Sequence, residues 1–469
     1  MAISSAILFS GTNFILAKSK GRYKMADIAS EHKRKSTLVS VFRALKYRNF
    51  RLFFVGQSIS LIGTWMQQIA LYWLVYRLTN SAFILGLVGF SNQIPTFILS
   101  PFMGVIADRW NRHHILIVTQ TLSMIQAFIL AGLVLTGTIA VWHIIALGLF
   151  IGCVNSLDIP TRQSFIFEMV EKKENLMNAI ALNSLMFNAA RLVGPSIAGL
   201  LIAVVGEGAC FLINGVSFLA VLASLFAMRL MPHKVEAKQS HVLEGMREGF
   251  TYVFSFMPIK IILSLLSVVS LMGASYIVLM PVFARDVLHG GPWTLGFLMA
   301  SASAGALMAT VYLASRKTIV GLGRIIPIAS SMFAIGIILF SLSRAVWLSL
   351  LLLVPIGFGM MVHMAASNTI LQTISDDDKR GRVMSFYTMA FMGTAPLGSL
   401  LAGSMASRLG ATNTLIIGGA ACLVASIVFA AKLPLLRTAI HPIYKKIGIM
   451  PEVASGINAV TGISIPPEE

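Results

Sequence analysis

Charge is scarce in this chain, and acid scarcest of all: Asp and Glu number 18 among 469 residues against 36 Lys and Arg, and charged residues make up only 12%. Soluble domains carry about a quarter. With 57% hydrophobic residues and a mean hydropathy of +0.82, a soluble globular protein is excluded and an integral membrane protein remains. Cysteine is also nearly missing. Cys153, Cys210 and Cys422 each fall inside an apolar run without paired spacing, which excludes a disulfide framework or a cysteine metal site and leaves packing residues. No nucleotide-binding glycine loop occurs, and His113-His114 stands without a second histidine pair or acid, so an enzyme would have no convergent cluster to work with. The net charge of +18 does not indicate nucleic acid, which requires basic residues gathered on one soluble face. Here they sit in loops.

Apolar runs long enough to cross about 30 Å of hydrocarbon at roughly 1.5 Å per residue number twelve. They fall near 53–76, 82–106, 115–136, 142–163, 178–204, 209–230, 259–283, 294–315, 325–342, 347–371, 383–405 and 412–432. An even number puts both termini on one side. Of the 36 Lys and Arg, 31 lie before the first run, in alternate loops, or after the last run. Only Arg77, Arg285, Arg344 and Arg408 lie on the other side, and Arg191 lies inside the fifth run. Basic loops stay in the cytoplasm, so both termini are expected there.

The expected organisation is an amino-terminal extension over 1–50, a six-helix half over 51–230, a linker over 231–258, a second six-helix half over 259–433 and a cytoplasmic tail over 434–469. Residues 1–17 lack a basic region ahead of their apolar residues, and Lys18 to Lys24 follow in place of a small-residue cleavage site, so a signal peptide is not expected. The halves repeat: Leu85-Gly86 recurs as Leu295-Gly296, and Gly194-Pro195 recurs around Ala395-Pro396, at offsets of 210 and 201 residues. Six helices return the chain to its starting side, so the repeats run parallel about an axis along the membrane normal. In the linker, Val242, Met246, Phe250 and Val253 form an apolar stripe opposite Glu244, Arg247 and Glu248, which predicts an interfacial helix.

Gly104, Asp108, Arg109 and Arg112 stand in the spacing G-x-x-x-D-R-x-x-R between the second and third runs. A charge near the bilayer centre costs at least a few kcal/mol, so this turn must lie outside the hydrocarbon. Spacing and position resemble the loop signature of the major facilitator superfamily. Gly194-Pro195-Ser196-Ile197-Ala198-Gly199 resembles the antiporter motif of its exporters, with a degenerate final glycine pair, and the stretches 155–165 and 379–385 are similar to the enterobactin and related siderophore exporters. The likeness covers about residues 43 to 433. It implies an all-α membrane fold of twelve transmembrane helices in two parallel six-helix halves. The implied activity is export of a small amphipathic solute, siderophore or drug-like, across the bacterial cytoplasmic membrane by alternating access. A lysophospholipid flippase and a solute importer remain alternatives, because fold does not fix function.

Within that likeness, Gly194 and Pro195 would kink the fifth helix and let the eighth approach. Asp108, with Arg109, Arg112 and Arg162 as ion-pair partners, would latch the cytoplasmic ends when the halves meet there, with Asp158, Arg162 and Glu168 as a second part. The cavity would be lined by the first, fourth, seventh and tenth helices. On the first, Gln57, Ser60, Thr64 and Gln68 fall on one face with Trp65 adjacent; Asn188 and Arg191 in the fifth, Tyr276 in the seventh and His363 in the tenth extend the candidate substrate site. Arg191 is the sharpest of these, since a lone deep cation meets an anionic substrate or pairs with Asp158. The first helix lacks the acid common in drug/proton antiporters, and the fourth lacks their arginine. Proton coupling, if present, is left to Asp158, His363 or the substrate itself. The expected partners are a small-molecule substrate and the lipid bilayer, without nucleic acid, cofactor or metal, for a chain acting as a monomer.

Overall fold

The computed structural model describes residues 43–170, 175–229, 251–316, 318–376 and 379–446, with the side chains of residues 101, 104, 105, 107–109, 177 and 446 outside that description. A short 3-10 turn, Arg43–Lys46, leads into α1 (Arg48–Thr79), α2 (Ala82–Arg109), α3 (Arg112–Leu135), α4 (Val141–Met169), α5 (Leu176–Val205) and α6 (Glu207–Phe226). The second set is α7 (Met257–Val287), α8 (Pro292–Ser315), α9 (Leu322–Leu342), α10 (Val346–Ile374), α11 (Arg380–Leu409) and α12 (Ala411–Ala431). A further helix, α13 (Leu433–Lys446), follows.

Local chemistry sets the turns. Asn80 takes the left-handed conformation (φ 47°) that ends α1, and Ser81 Oγ accepts from the Ile84 amide to open α2. Asn111 Oδ1 accepts from the His113 and His114 amides at the start of α3. Gly206 and Gly410, 204 residues apart, each join two helices directly at a φ of 80° and 84°, a conformation that disfavours a Cβ. The same hinge therefore recurs in both repeats.

Among the described residues, eleven helices are long and apolar enough to cross a membrane. The exception among the twelve is α1, whose apolar residues are interrupted by Gln57, Ser58, Ser60, Thr64, Gln67 and Gln68. Of these, Gln67 bonds between helices. Asn214 Nδ2 donates to Gln67 Oε1 at 2.7 Å and Gln67 Nε2 to Gln126 Oε1 at 3.0 Å, tying α1 to α6 and α3.

Within the first set, α1 packs on α5 and α6, α2 on α4, and α3 on α4 and α6; in the second, α7 packs on α11 and α12, α8 on α10, and α9 on α10 and α12. The halves meet through α2 with α11 and α5 with α8. Both crossings are glycine to glycine. A Cβ on Gly86 would meet Ser399 O at 2.5 Å and Gly403 Cα at 2.9 Å; one on Gly296 would meet Pro195 O at 2.6 Å and Gly199 Cα at 2.9 Å. The repeated Leu-Gly pairs of the sequence thus mark the two closest backbone crossings between the halves.

These contacts lie toward the end away from the basic loops, and that end is sealed. Every residue of α1 from Ile69 to Tyr76 is buried, as is every residue of α7 from Val278 to Ala284. Toward the basic end α1 instead exposes Val55 and Ile59, at 55% and 47%. Two π-helical turns interrupt α7, at Val269–Gly273 and Phe283–Val287, and one interrupts α11 at Met389–Gly393. The first and last dock, with Ser270 Oγ donating to Phe391 O.

Three expectations need comment. Val242, Met246 and Phe250 of the linker stripe lie outside the described residues, while residues 251–255 are helical and Val253 is 2% exposed. The ninth helix starts at Leu322, ahead of Pro327, rather than near 325, because Gly321 (φ 89°) supplies the turn. The tail opens with α13, whose Leu433, Leu436, Ile440 and Tyr444 recur at helical spacing and pack inward while Arg437, His441 and Lys445 stay exposed.

The Gly296 contact yields a test. Gly296→Val must separate α8 from α5 and should destabilise the sealed end by about 1–3 kcal/mol. An impermeant thiol reagent added from that side should then label a cysteine placed at Ser303 faster than in the Gly296 background. Equal labelling rates would show that the glycine crossing does not govern closure.

Candidate functional site

The middle of the molecule holds a cation with an aromatic wall and no acid. Arg191, at the midpoint of α5, places its guanidinium 5.6 Å from the centroid of the Trp65 ring on α1. Trp65 in turn meets Phe187 edge-on at 5.6 Å, and Phe187 is 41% exposed. The Arg191 Nε is buried without a hydrogen-bond partner, and no carboxylate pairs with the group among the described residues. Its carbonyl accepts from Ser303 Oγ of α8 at 3.0 Å, so the arginine's backbone is tied across the boundary between the halves. Its charge also reaches Tyr276 of α7, which is buried and edge-on to Phe333. Cation–π attraction is worth about 0.5–2 kcal/mol and offsets only part of the cost of a lone cation in low dielectric. An anionic group with an apolar or aromatic body would supply the rest.

The structure sorts the other candidates. Thr64 is exposed one position before Trp65, while Gln57 is buried at 2%, so the polar stripe of α1 does not face one open surface; α1 packs on both α5 and α6. Gln68 interacts with the buried Tyr72 on its own helix. Asn188 is buried and its Nδ2 returns to Ser184 O at 2.8 Å. Gly194 clears α1 rather than α8, since a Cβ there would meet Trp65 Cβ at 2.6 Å and Ile62 O at 2.9 Å; Pro195 O and Gly199 face α8. His363 is fully buried in α10 with neither ring nitrogen hydrogen-bonded among the described residues.

Asp158 is not the partner of Arg191. Thr119 Oγ1 and Gln120 Nε2 of α3 both donate to its Oδ1 at 2.8 Å, and Arg162 Nη2 lies 3.6 Å from Oδ2 one turn along α4. With the carboxylate 6% exposed, this group fastens α4 to α3 inside one half. Arg112 pairs with Glu168 at 2.7 Å, joining the same two helices. The side chains of Gly104, Asp108 and Arg109 lie outside the described residues.

A second cluster, at the sealed end, was not foreseen from sequence. The Tyr76 hydroxyl of α1 donates to Asp286 Oδ2 of α7. Arg285 Nη1 donates to Asn80 Oδ1 at 2.7 Å, with its guanidinium 5.8 Å from the Tyr76 ring. These contacts cross between the halves. Beside them Arg77 grips Glu207 through two bonds, Nε to Oε1 at 2.8 Å and Nη2 to Oε2 at 3.2 Å, holding the end of α1 to the start of α6. The available signal was an adjacent Arg285-Asp286 pair on the side poorest in charge.

Known proteins share this architecture. The family model described as transmembrane secretion effector matches residues 39–460. The staphyloferrin A transporter of Staphylococcus aureus is 28% identical, over 81% of this chain and 95% of its own length. The enterobactin exporter EntS of Shigella boydii is 25% identical, over 77% of this chain and 86% of its own. Among solved structures, the POT family transporter PepTSo superposes with a TM-score of 0.65 at 13% identity, over 84% of this chain and 99% of that one, a likeness of fold.

Tyr76→Phe removes one hydroxyl from the sealed end and leaves the ring under Arg285. A hydrogen bond of this kind contributes about 0.5–1.5 kcal/mol, so the sealed population should fall by roughly two- to tenfold relative to the opened one. Spin labels at Leu78 and His289 should report a larger long-distance fraction by pulsed dipolar spectroscopy. An unchanged distance distribution would make the contact incidental to closure.

Proposed function

The chain belongs to the transmembrane secretion effector family of the major facilitator superfamily, and from that membership we propose that it exports an anionic amphipathic solute, of the siderophore or drug-like kind, across the bacterial cytoplasmic membrane. A multi-pass membrane transporter, and not an enzyme, is the premise. The unpaired Arg191 against Trp65 carries the reading of substrate charge. Phe187 and Tyr276 would cover the apolar body of the solute, and Thr64 and Ser303 lie within the same region. Basic loops at the open end support a state that faces the cytoplasm, where a solute made inside would enter. Closure there would be governed by the Asp108 loop, and reopening on the far side by release of Tyr76 from Asp286.

Proteoliposome transport with paired anionic and neutral substrates tests the charge. Arg191→Lys should keep partial transport, since it retains a cation but loses the planar fork, whereas Arg191→Ala should lose about tenfold, near 1.4 kcal/mol, for the anionic substrate only. Equal loss for both substrates with poor expression would make Arg191 a structural cation. Accumulation into inverted vesicles, rather than into right-side-out ones, tests the direction.

Coupling to protons falls on Asp158, the buried carboxylate whose partners on α3 and α4 would change if the gate rearranges, with His363 as the second candidate. Asp158→Asn should abolish accumulation driven by an imposed pH gradient while leaving exchange of substrate for substrate. If that variant concentrates substrate as the unaltered protein does, Asp158 serves only to fasten α4 to α3.

A further inference from the structure

At the basic end of the second half, an apolar cavity of about 370 Å³ opens where α13 crosses the ends of α9 and α12, with Ile262 of α7 and Ile370 of α10 at its floor. That volume falls within the range of ligand pockets. Its rim carries Arg324, Arg437 and His441. All three are exposed, and none of their side chains forms a hydrogen bond or ion pair among the described residues. No acid lines the cavity.

A second recess, of about 640 Å³, lies farther along α9, lined by Ile328, Ser331, Ile335 and Leu339, with Leu352 and Pro355 of α10 and Ile427 of α12 beside them. Arg324, Ile328, Ser331, Ile335 and Leu339 advance by three or four residues each, so rim and recess lie on one stripe of one helix. From Ile328 to Leu339 the stripe runs about 16 Å at roughly 1.5 Å per residue. One leaflet of hydrocarbon is about 15 Å deep, half of the roughly 30 Å core. Ile328, Ile335 and Leu339 are 66%, 45% and 48% exposed, as a surface turned toward lipid should be.

We propose that this is a binding site for an anionic glycerophospholipid, its phosphate held by Arg324, Arg437 and His441 and an acyl chain lying along the α9 stripe. Charge and shape both select this occupant. A free phosphate would leave the apolar cavity and stripe uncovered, and a zwitterionic lipid would bring its own cation against three basic groups. The site also gives α13 a purpose: Leu433, Leu436, Ile440 and Tyr444 fix it to the bundle, which presents Arg437 and His441 beside Arg324 of a different helix.

The test uses the full chain in detergent, titrated with dioleoyl phosphatidylglycerol or dioleoyl phosphatidylcholine, with bound lipid counted by native mass spectrometry and Tm followed in parallel. The unaltered protein should prefer phosphatidylglycerol, and the exposed pair Arg324→Gln and Arg437→Gln should each remove about fivefold of that preference. Gly323→Phe fills the cavity without touching the charges, since a Cβ there meets nothing nearer than Leu433 Cδ1 at 3.7 Å. It should weaken phosphatidylglycerol binding and its Tm increment while leaving Tm in phosphatidylcholine unchanged. Equal binding of the two lipids, or a preference that survives the arginine changes, would overturn the proposal. So would inorganic phosphate reproducing the whole Tm increment, which would make this a free-anion site. Stronger lipid binding after deletion of residues 447–469 would identify the chain's own tail as the occupant and overturn it equally. Should Gly323→Phe fail to fold, the arginine variants, on exposed side chains, still decide.

Discussion

Two glycine-on-glycine crossings, α5 on α8 and α2 on α11, hold the halves together in a solvent that gives apolar association nothing. Lipid tails are as apolar as leucine, so helices in a bilayer cohere by close packing and a few polar contacts rather than by escape from water. At Gly199 and Gly296 the backbones approach until a single Cβ would collide. Packing of that kind falls away steeply with separation, which makes it a good hinge. A small rotation about either crossing releases many weak contacts together, and the price falls on the sealed end alone. The polar cluster of Tyr76, Asp286, Arg285 and Asn80 joins the two halves at the same end as the crossings.

Because the crossings lie toward the sealed end, Arg191, at the midpoint of α5, stands on their basic-loop side. Its position is stable only in company. An arginine at mid-membrane costs about 2.5–3.5 kcal/mol on insertion scales, and the Trp65 face returns at most about 2. Water in the open state and an anion in the loaded state are the two ways to cover the rest. A carrier that binds through such a group makes its occluded state more favourable with substrate than without, which is a differential interaction able to drive the conformational change. Asp158, by contrast, already has Thr119, Gln120 and Arg162 around it, and an acid so fully satisfied has little left to offer a substrate.

Much of this was legible in the sequence, and the omissions have physical causes. Twelve apolar runs, parallel repeats and the Leu-Gly pairs could be read because hydrocarbon imposes a length and because backbone contact demands glycine. The Gln57 stripe misled, since facing polar residues toward one side of a helix means solvent exposure only when a neighbour does not cover that side; α6 covers it, and Gln67 and Asn214 show polar groups serving adhesion instead. Asp286 was passed over because counting stopped at the last apolar residue, near 283, whereas α7 continues as a π-helical turn to Val287. α13 was passed over because its stripe is four residues in a short helix and gains meaning only from the bundle beneath it. The linker stripe and the Asp108 loop are legible as chemistry, and their side-chain geometry falls outside the described residues.

The three π-helical turns connect these observations. Each inserts one extra residue per turn and so leaves backbone groups poorly matched, a cost tolerated where a helix must change course. In α7 one such turn lies at the middle and one at the sealed tip, and in α11 the single turn lies opposite the first and bonds to it through Ser270. The first half has no such turn among its described helices; its α5 instead carries Pro195 inside the helix. The two halves, alike in packing, are therefore unlike in compliance. The half containing α7 and α11 carries the backbone irregularities, while α1 to α6 are cross-tied by Asp158, the Gln67 chain and the Arg77–Glu207 fork. An asymmetry of that kind would place the cation on the stiffer half and the moving wall on the more compliant one, so that under the proposed function a substrate held by Arg191 would be closed upon by α7 and α8 rather than carried.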